Sequence, residues 1–525
     1  MKAIFPLAIL MALSLSVVTA QNAAPKVIIT NVSVDEPAQA VYVTYDLLDD
    51  EYDPCEVWFG ISLDGGQTFL AENGTVFGDV GPGIGAGPGR QISWFAQSLP
   101  DLYQAIVRVV ADDGHPVDIQ ALVDQVDEAG VYERLTQLAV KRHHTGNPSG
   151  LEQVRDTLTA LFEQYGLQVE QQPAFFQTYS YPNILARQGG WVHEDTTYIV
   201  DAHYDGVTQG PGADDNATGV VGTIEVARIL SQVPCRKSIR YIGFAFEEQG
   251  LVGSNEYVNK GGIKSWEKIA GVLNMEMIGY FSNKINSQTV PAGFDLLFPA
   301  ATADIAAQLY RGNFLIVAGN TASQPLITAF ETAADTYVPE LRTVSLAVPG
   351  NGQIAPDLRR SDHSRFWDAG YQALMLTDGA ETRNKNYHTA KDVVDSLDLN
   401  FLSNNIRAVL ATTVTLAEPM HAGQDVFVLS DLVSTDDHDH ASACRISCSV
   451  NPIRDLLMLS INDCAGESMV ATLYALDGRA LLSRQIQPVA DREEVQIPIG
   501  RPAAGTYLLV IESSHHSTTL TVVVE

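Results

Sequence analysis

Between residues 26 and 114 apolar and polar residues alternate: "AVYVTYDLL" sets Val41, Val43, Tyr45 and Leu47 on one face, and "CEVWFGISL" does the same with Val57, Phe59, Ile61 and Leu63. A period of two predicts half-buried strands. "DGG" at 64–66 and the glycine run "GDVGPGIGAGPG" at 78–89 supply turns, and "QISWFA" and "AIVRVVAD" read as further strands. Together they predict a small β-sandwich.

From about residue 120 the period changes. "LEQVRDTLTALFEQYG" spaces Leu151, Val154, Leu158, Leu161 and Phe162 as one helical face, with Ser149 as its cap and Gly166 at its end. "TTYIVDAHYD", "SIRYIGFAFEEQG", "IAGVLNMEMIGY" and "RTVSLAVP" are apolar runs ending in polar residues, with helical stretches such as "ATGVVGTIEVARILSQV" between them. This alternation predicts an α/β domain over 120–417 whose sheet is covered on both faces, with ligands gathering beyond the carboxyl ends of the strands. Residues 418–443 read as a linker in which His438 and His440 are solvated, and the short alternating strands of 444–525 predict a second β-sandwich.

Composition narrows the function. A formal charge of −31 argues against a nucleic-acid partner, which needs clustered Lys and Arg, and favours cations. Residues 1–20, "MKAIFPLAILMALSLSVVTA", have the pattern of a cleaved secretory signal, and no later segment is apolar for long enough to span a bilayer. Five cysteines are too few for a disulfide framework; there is room for one local pair among Cys444, Cys448 and Cys464.

The chemistry lies at the strand ends. His203 and Asp205 follow "YIVDA", Glu247 and Glu248 follow "YIGFAF", Glu276 stands in "LNMEMIG", His388 stands in "NYHT", and Asp214 and Asp215 lie in the glycine loop "GADDNATG". Carboxylates crowded in one cleft must take up protons or separate unless cations join them. Imidazole with carboxylate suits zinc, whereas calcium favours oxygen throughout.

Taken in order, "HYD" (203–205), "GADDNATG" (212–219), "EE" (247–248), "NMEM" (274–277) and "YHT" (387–389) resemble the motifs of the M28-type zinc aminopeptidases and related exopeptidases. The resemblance, over about 120–417, implies a phosphorylase/hydrolase-like three-layer α/β/α zinc peptidase domain holding two Zn²⁺ per chain, flanked here by the two sandwiches; the first sandwich, by its alternation, looks like the immunoglobulin or fibronectin kind and by fold analogy is a spacer or adhesion module. The resemblance also implies that His203 binds one zinc, that Glu248 and His388 bind the other, and that Asp215 bridges both. Glu276 completes the first set, where the family more often has aspartate, and the extra methylene bears on metal occupancy. Asp214 is open between supporting a ligand and plain solvation.

On the same footing, Asp205 is placed to fix the His203 tautomer. Glu247, pointing away from Glu248 in an extended backbone, is the general base, and Tyr387 is the oxyanion donor. His363 in "RRSDHSRF" reads as a supporting or pocket-lining histidine, while His143, His144, His193, His515 and His516 read as surface residues. "NPIRDLLMLSI", "LYALDGRALL" and "PAAGTYLLVIE" resemble the C-terminal sorting domain of the type IX secretion route, implying a secreted or surface-displayed protein that meets the secretion machinery through this domain. The expected function is a secreted two-zinc aminopeptidase acting on peptides with a free N-terminus. A one-zinc glutaminyl cyclase on the same fold, which would suit Glu276, and a non-catalytic binding ectodomain are the alternatives; Tyr387 beside His388 favours the peptidase.

Overall fold

The computed structural model describes residues 22–429 except 36, 70–73 and 97–104, and in the C-terminal region 445–448, 456–462, 468–475, 480–487, 492–500, 502, 505–513 and 517–524. The signal segment, His438, His440, His515, His516, Cys444 and Cys464 lie outside the described residues, as does the side chain of Cys448. Two compact units are present, Met1–Leu432 and Val433–Glu525.

In the first unit the alternating N-terminal runs form two antiparallel four-stranded sheets. One contains Lys26–Asp35, Ala40–Leu48, Gly87–Ala96 and Gly74–Gly78; the other contains Ala422–Val428, Ile106–Asp112, Cys55–Ser62 and Gly81–Ile84. Val41, Val43, Tyr45, Leu47, Val57, Phe59 and Ile61 share one core with Trp94, Val107 and Val109. Leu63 lies one residue past its strand and is exposed, because the turn at 64–66 begins before its side chain can point inward.

The strand Ala422–Val428 falls inside the span expected to be a linker. Its short alternation "AGQDVFV" pairs with Ile106–Asp112, and Asp425 accepts from the Ile29 amide at 2.7 Å. The α/β domain is therefore inserted between two neighbouring strands of one sheet. Its seam with the N-terminal sheets holds a buried ion triad: Glu194 stands 3.5 Å from Arg108 and 3.3 Å from Arg187, and accepts from the Phe69 amide at 2.7 Å. Removing the acid strands two buried guanidiniums, so Glu194→Ala is expected to cost about 3–5 kcal/mol. The check is a lower urea midpoint at unchanged slope.

The central sheet has eight strands in the order Thr343–Val348, Leu315–Asn320, Ala373–Thr377, Lys268–Met275, His193–His203, Lys237–Phe244, Tyr179–Gln188 and Gln168–Phe176. The four from Ala373–Thr377 to Lys237–Phe244 run parallel. Along His193–His203 alternate residues enter different clusters, Val200 and Ala202 joining the helices on one face and Ile199 the other. Helix Pro148–Gln164 is capped by Asn147 rather than Ser149: its side chain accepts from the Gly150 amide, and Pro148 occupies the first turn, where no amide hydrogen is required.

The second unit contains two antiparallel sheets, Arg445–Cys448 with Leu456–Asn462 and Arg492–Pro498, and Ala480–Ile486 with Met469–Ala475, Gly505–Ser513 and Ser517–Val524. Leu457, Leu459, Leu473, Leu509 and Ile511 are buried together. Among the described residues no helix is long and apolar enough to cross a membrane.

Candidate active site

Parallel pairing puts four strand ends level. His203 is in register with Phe244, Asp201 with Asn274, and Met275 with Leu376. The chain leaves these ends through His203, Glu247–Glu248 and Glu276, and the loop 212–218 returns across them into helix Gly219–Leu230.

Two groups of side chains result: His203 with Glu247 and Glu276, and Asp215 with Glu248 and His388. His203 Nε2 lies 3.4 Å from Asp215 Oδ1, 3.4 Å from Glu276 Oε2 and 4.0 Å from Glu247 Oε2. His388 Nε2 lies 3.0 Å from Asp215 Oδ2 and 3.3 Å from Glu248 Oε2. The two oxygens of Asp215 therefore face different histidines.

Neither ring nitrogen of His203, nor Nε2 of His388, makes a well-directed hydrogen bond, although each is buried. Oxygen and nitrogen ligands about 2.0–2.1 Å from a tetrahedral zinc stand roughly 3.3 Å from one another, the spacing seen here. Donor chemistry and spacing both fit zinc.

With protein groups alone the cluster is electrostatically frustrated. Burial pushes the Glu247 carboxyl well above its ordinary range, His203 opposing and Glu276 adding to the shift. Burial and then Asp215 push Glu248 up to about 7. Burial would also raise Asp215, but the close approach of His203 and His388 outweighs it and holds this carboxylate low. His388 is pushed up to about 10: burial lowers it, and Asp215 and Glu248 more than compensate.

The loop "GADDNATG" is held by nearly every polar group it has. Gly212 is left-handed (φ 59°), and an added Cβ would meet the Asp215 carbonyl at 2.2 Å, so the turn requires glycine. Asp214 is fully buried, accepting from the Gly279 amide at 3.0 Å and from Asn384 Nδ2 at 2.7 Å. Solvation is therefore ruled out. Asn216 reaches the far side of the cleft, donating to the Met275 carbonyl at 2.8 Å and accepting from the Met277 amide at 3.1 Å, which brackets Glu276.

Asp205 does more than the spacing predicts. Its Oδ1 is 3.5 Å from His203 Nδ1, while its carboxylate accepts from the amides of Glu247 at 3.0 Å and Glu248 at 3.3 Å. Those two glutamates stand on a turn after left-handed Phe246 (φ 57°), not on an extended backbone, so it is the turn that sends them to different histidines. Tyr387 stacks on His388 with centroids 3.8 Å apart, and its hydroxyl accepts from Arg360 at 2.9 Å, keeping its own hydrogen to donate.

His363 is fully buried beneath the site, 3.3 Å from Asn274 Oδ1 and 2.9 Å from the Leu358 carbonyl, and burial lowers it to about 4. It joins neither group of candidate ligands. His193 is exposed, but His144 is buried among Phe176, Tyr179 and Phe246, because the hairpin 168–188 folds over it.

Sequence reasoning missed Asp392, whose carboxylate accepts from the amides of Asp214 and Asp215 at 2.9 and 3.1 Å, and Ser361, which donates to Glu276 at 2.8 Å. It also missed Arg142 behind the loop. Ser361 stands in "RRSDHSRF", two residues before His363, and the short segment after "YHT" could have pointed to Asp392; Arg142 has no pattern around it.

Beyond Glu276 and Tyr387 lies a cavity of about 110 Å³, walled by Phe294, Ile305, Ile316, Val344, Leu346 and Met375.

The family model of peptidase family M28 matches residues 183–413, and that of the secretion system C-terminal sorting domain matches 451–525. The chain is 30% identical to the uncharacterized protein YfbL of Escherichia coli K12, across 53% of this chain and 83% of that one. Over 17% of this chain it is 42% identical to aminopeptidase YwaD of Bacillus subtilis, spanning 19% of that protein's length. The LapA aminopeptidase structure from Legionella pneumophila aligns at 20% identity and a TM-score of 0.45, covering 57% of this chain and 75% of that one. Motif order, ligand-type side chains and extended identity agree: this chain belongs to peptidase family M28, the zinc metallopeptidases.

Proposed function

We propose that the protein is an exported two-zinc aminopeptidase, in which a three-layer α/β/α catalytic domain is flanked by β-sandwiches. The observation that carries this reading is Asp215, shared between two histidine–carboxylate groups at ligand spacing. His203, Asp215 and Glu276 would hold one ion, and Glu248, His388 and Asp215 would hold the other. When bound, zinc supplies Lewis acidity, acidifying water and polarising the scissile carbonyl.

The remaining steps belong to side chains. Glu247 takes the proton of the attacking water and passes it to the leaving amine. Tyr387, oriented by Arg360, donates to the oxyanion. Asp205 orients His203 and pins the turn bearing both glutamates. Glu247 and Glu276 receive the substrate's ammonium group, and the apolar cavity beyond Glu276 takes the first side chain, favouring leucine-like residues over charged ones. Residues 1–20 and the C-terminal sorting domain direct export.

The test is hydrolysis of matched peptides with free and acetylated N-termini, each beginning with leucine or aspartate. The free leucine peptide should be cleaved at least about tenfold faster than any other, since filling an apolar pocket is worth roughly 1–3 kcal/mol. Equal cleavage of free and acetylated peptides overturns the aminopeptidase assignment. Loss of ammonia from an N-terminal glutamine peptide, in place of release of an amino acid, would favour the cyclase.

A further inference from the structure

Arg142 is 1% exposed and lies in "KRHHTG", well before any of the motifs, yet its guanidinium reaches the loop that carries the shared carboxylate. Nη2 donates to the carbonyls of Gly212 at 2.8 Å and Asp215 at 3.1 Å, and Nη1 donates to those of Pro211 at 2.5 Å and Val140 at 3.1 Å. The opposite edge of the same loop is held by Asp392, which accepts from the Asp214 and Asp215 amides. The loop is thus clamped between a cation on its carbonyls and an anion on its amides.

We propose that Arg142 is a positioning residue for the metal pair: by fixing the backbone of 211–215 it sets where both oxygens of Asp215 point, and so sets the zinc affinity of both positions together. This rests on the two-zinc reading above.

The physical reason is donor geometry. A guanidinium offers five N–H donors in a rigid plane, so one side chain can bind several carbonyls at once. A lysine in its place keeps the charge as a point and loses the fork. The fit is close: a Cβ on Gly212 would come within 3.2 Å of both terminal nitrogens. The arginine touches neither candidate ligand group through its side chains, only the backbone beneath one of them. Because Asp215 belongs to both zinc sets, loosening it weakens both ions, whereas loss of a residue serving one site would weaken one.

The experiment compares full-length wild type, Arg142→Lys, Arg142→Met and Asp392→Asn, each titrated with zinc against a competing chelator and, separately, loaded with cobalt(II) for its visible spectrum. Removing support behind a ligand typically costs 10–100-fold in metal affinity. Both arginine variants should lose about that much at the two positions together, with altered cobalt bands. Arg142→Lys should recover only part of the loss, and saturating zinc should restore thermal stability in each. If Arg142→Met does not fold, Arg142→Lys and Asp392→Asn carry the test.

Any folded arginine variant with wild-type affinity for both ions and an unchanged cobalt spectrum overturns the inference. So does loss confined to one ion. A wild type that takes up no zinc instead overturns the reading beneath it, so the two failures are told apart by the wild-type titration alone.

Discussion

Glu247→Gln is expected to lower kcat by about 10²–10⁴-fold while zinc content stays near wild type. The amide keeps the shape of the carboxylate but cannot carry a proton between water and the leaving amine. The position suits that task. Glu247 Oε2 stands 4.0 Å from His203 Nε2, farther than Asp215 or Glu276, so it borders the candidate ligands around His203 without closing on them. Its backbone is anchored by Asp205, and its burial favours holding a proton. Steady-state kinetics on an unblocked leucyl peptide, with metal analysis of the same samples, measure the effect. A variant with full zinc and a kcat within about threefold of wild type would remove Glu247 from the proton path.

Stripping zinc should destabilise the fold by several kcal/mol, and by more at high pH than at low. Each ion contributes about 4 kcal/mol when free zinc is a thousand times its Kd. The pH dependence follows from the frustrated cluster. Without zinc, Glu248 keeps its proton up to about 7, whereas the unfolded chain releases it near 4.5. The folded state binds more protons across that window, so the stability of zinc-free protein falls as pH rises from about 4 through about 7.

His388 extends the trend. Raised to about 10 from an ordinary 6.5, its contribution is complete below 6.5 and is lost as pH climbs through about 10. Zinc takes the deprotonated forms of these same side chains, so its own contribution grows as theirs declines. Melting temperatures with zinc and with chelator should therefore diverge between about pH 5 and about pH 9. A gap that is constant or narrows across that range would show that these groups are not where the metal binds.

Much of this molecule is legible in its chain because it is written in period. Alternation in "AVYVTYDLL" and "CEVWFGIS" announces paired sheets, and apolar runs ending at His203, Glu248 and Glu276 put ligand-type side chains at strand ends. The strand at 422–428 escapes such a reading, since seven residues beside low-complexity sequence carry too little alternation to be told from a linker. Ser149 reads as a cap because serine caps helices in general. Asn147 holds the role because Pro148 starts the first turn right after it.

By itself the sequence determined the class of chemistry: acids and imidazoles at successive strand ends, a glycine loop able to turn between them, and the order of motifs that marks the family. Only the tertiary structure decided how those groups are aimed. Asp205 pins the two-glutamate turn, Asp214 is buried against Gly279 and Asn384, and Arg142 and Asp392 grip the loop from opposite sides. A hydrogen bond between residues far apart along the chain imposes no repeat on their neighbours, so it leaves no pattern to read, whereas burial against a sheet imposes one on every strand.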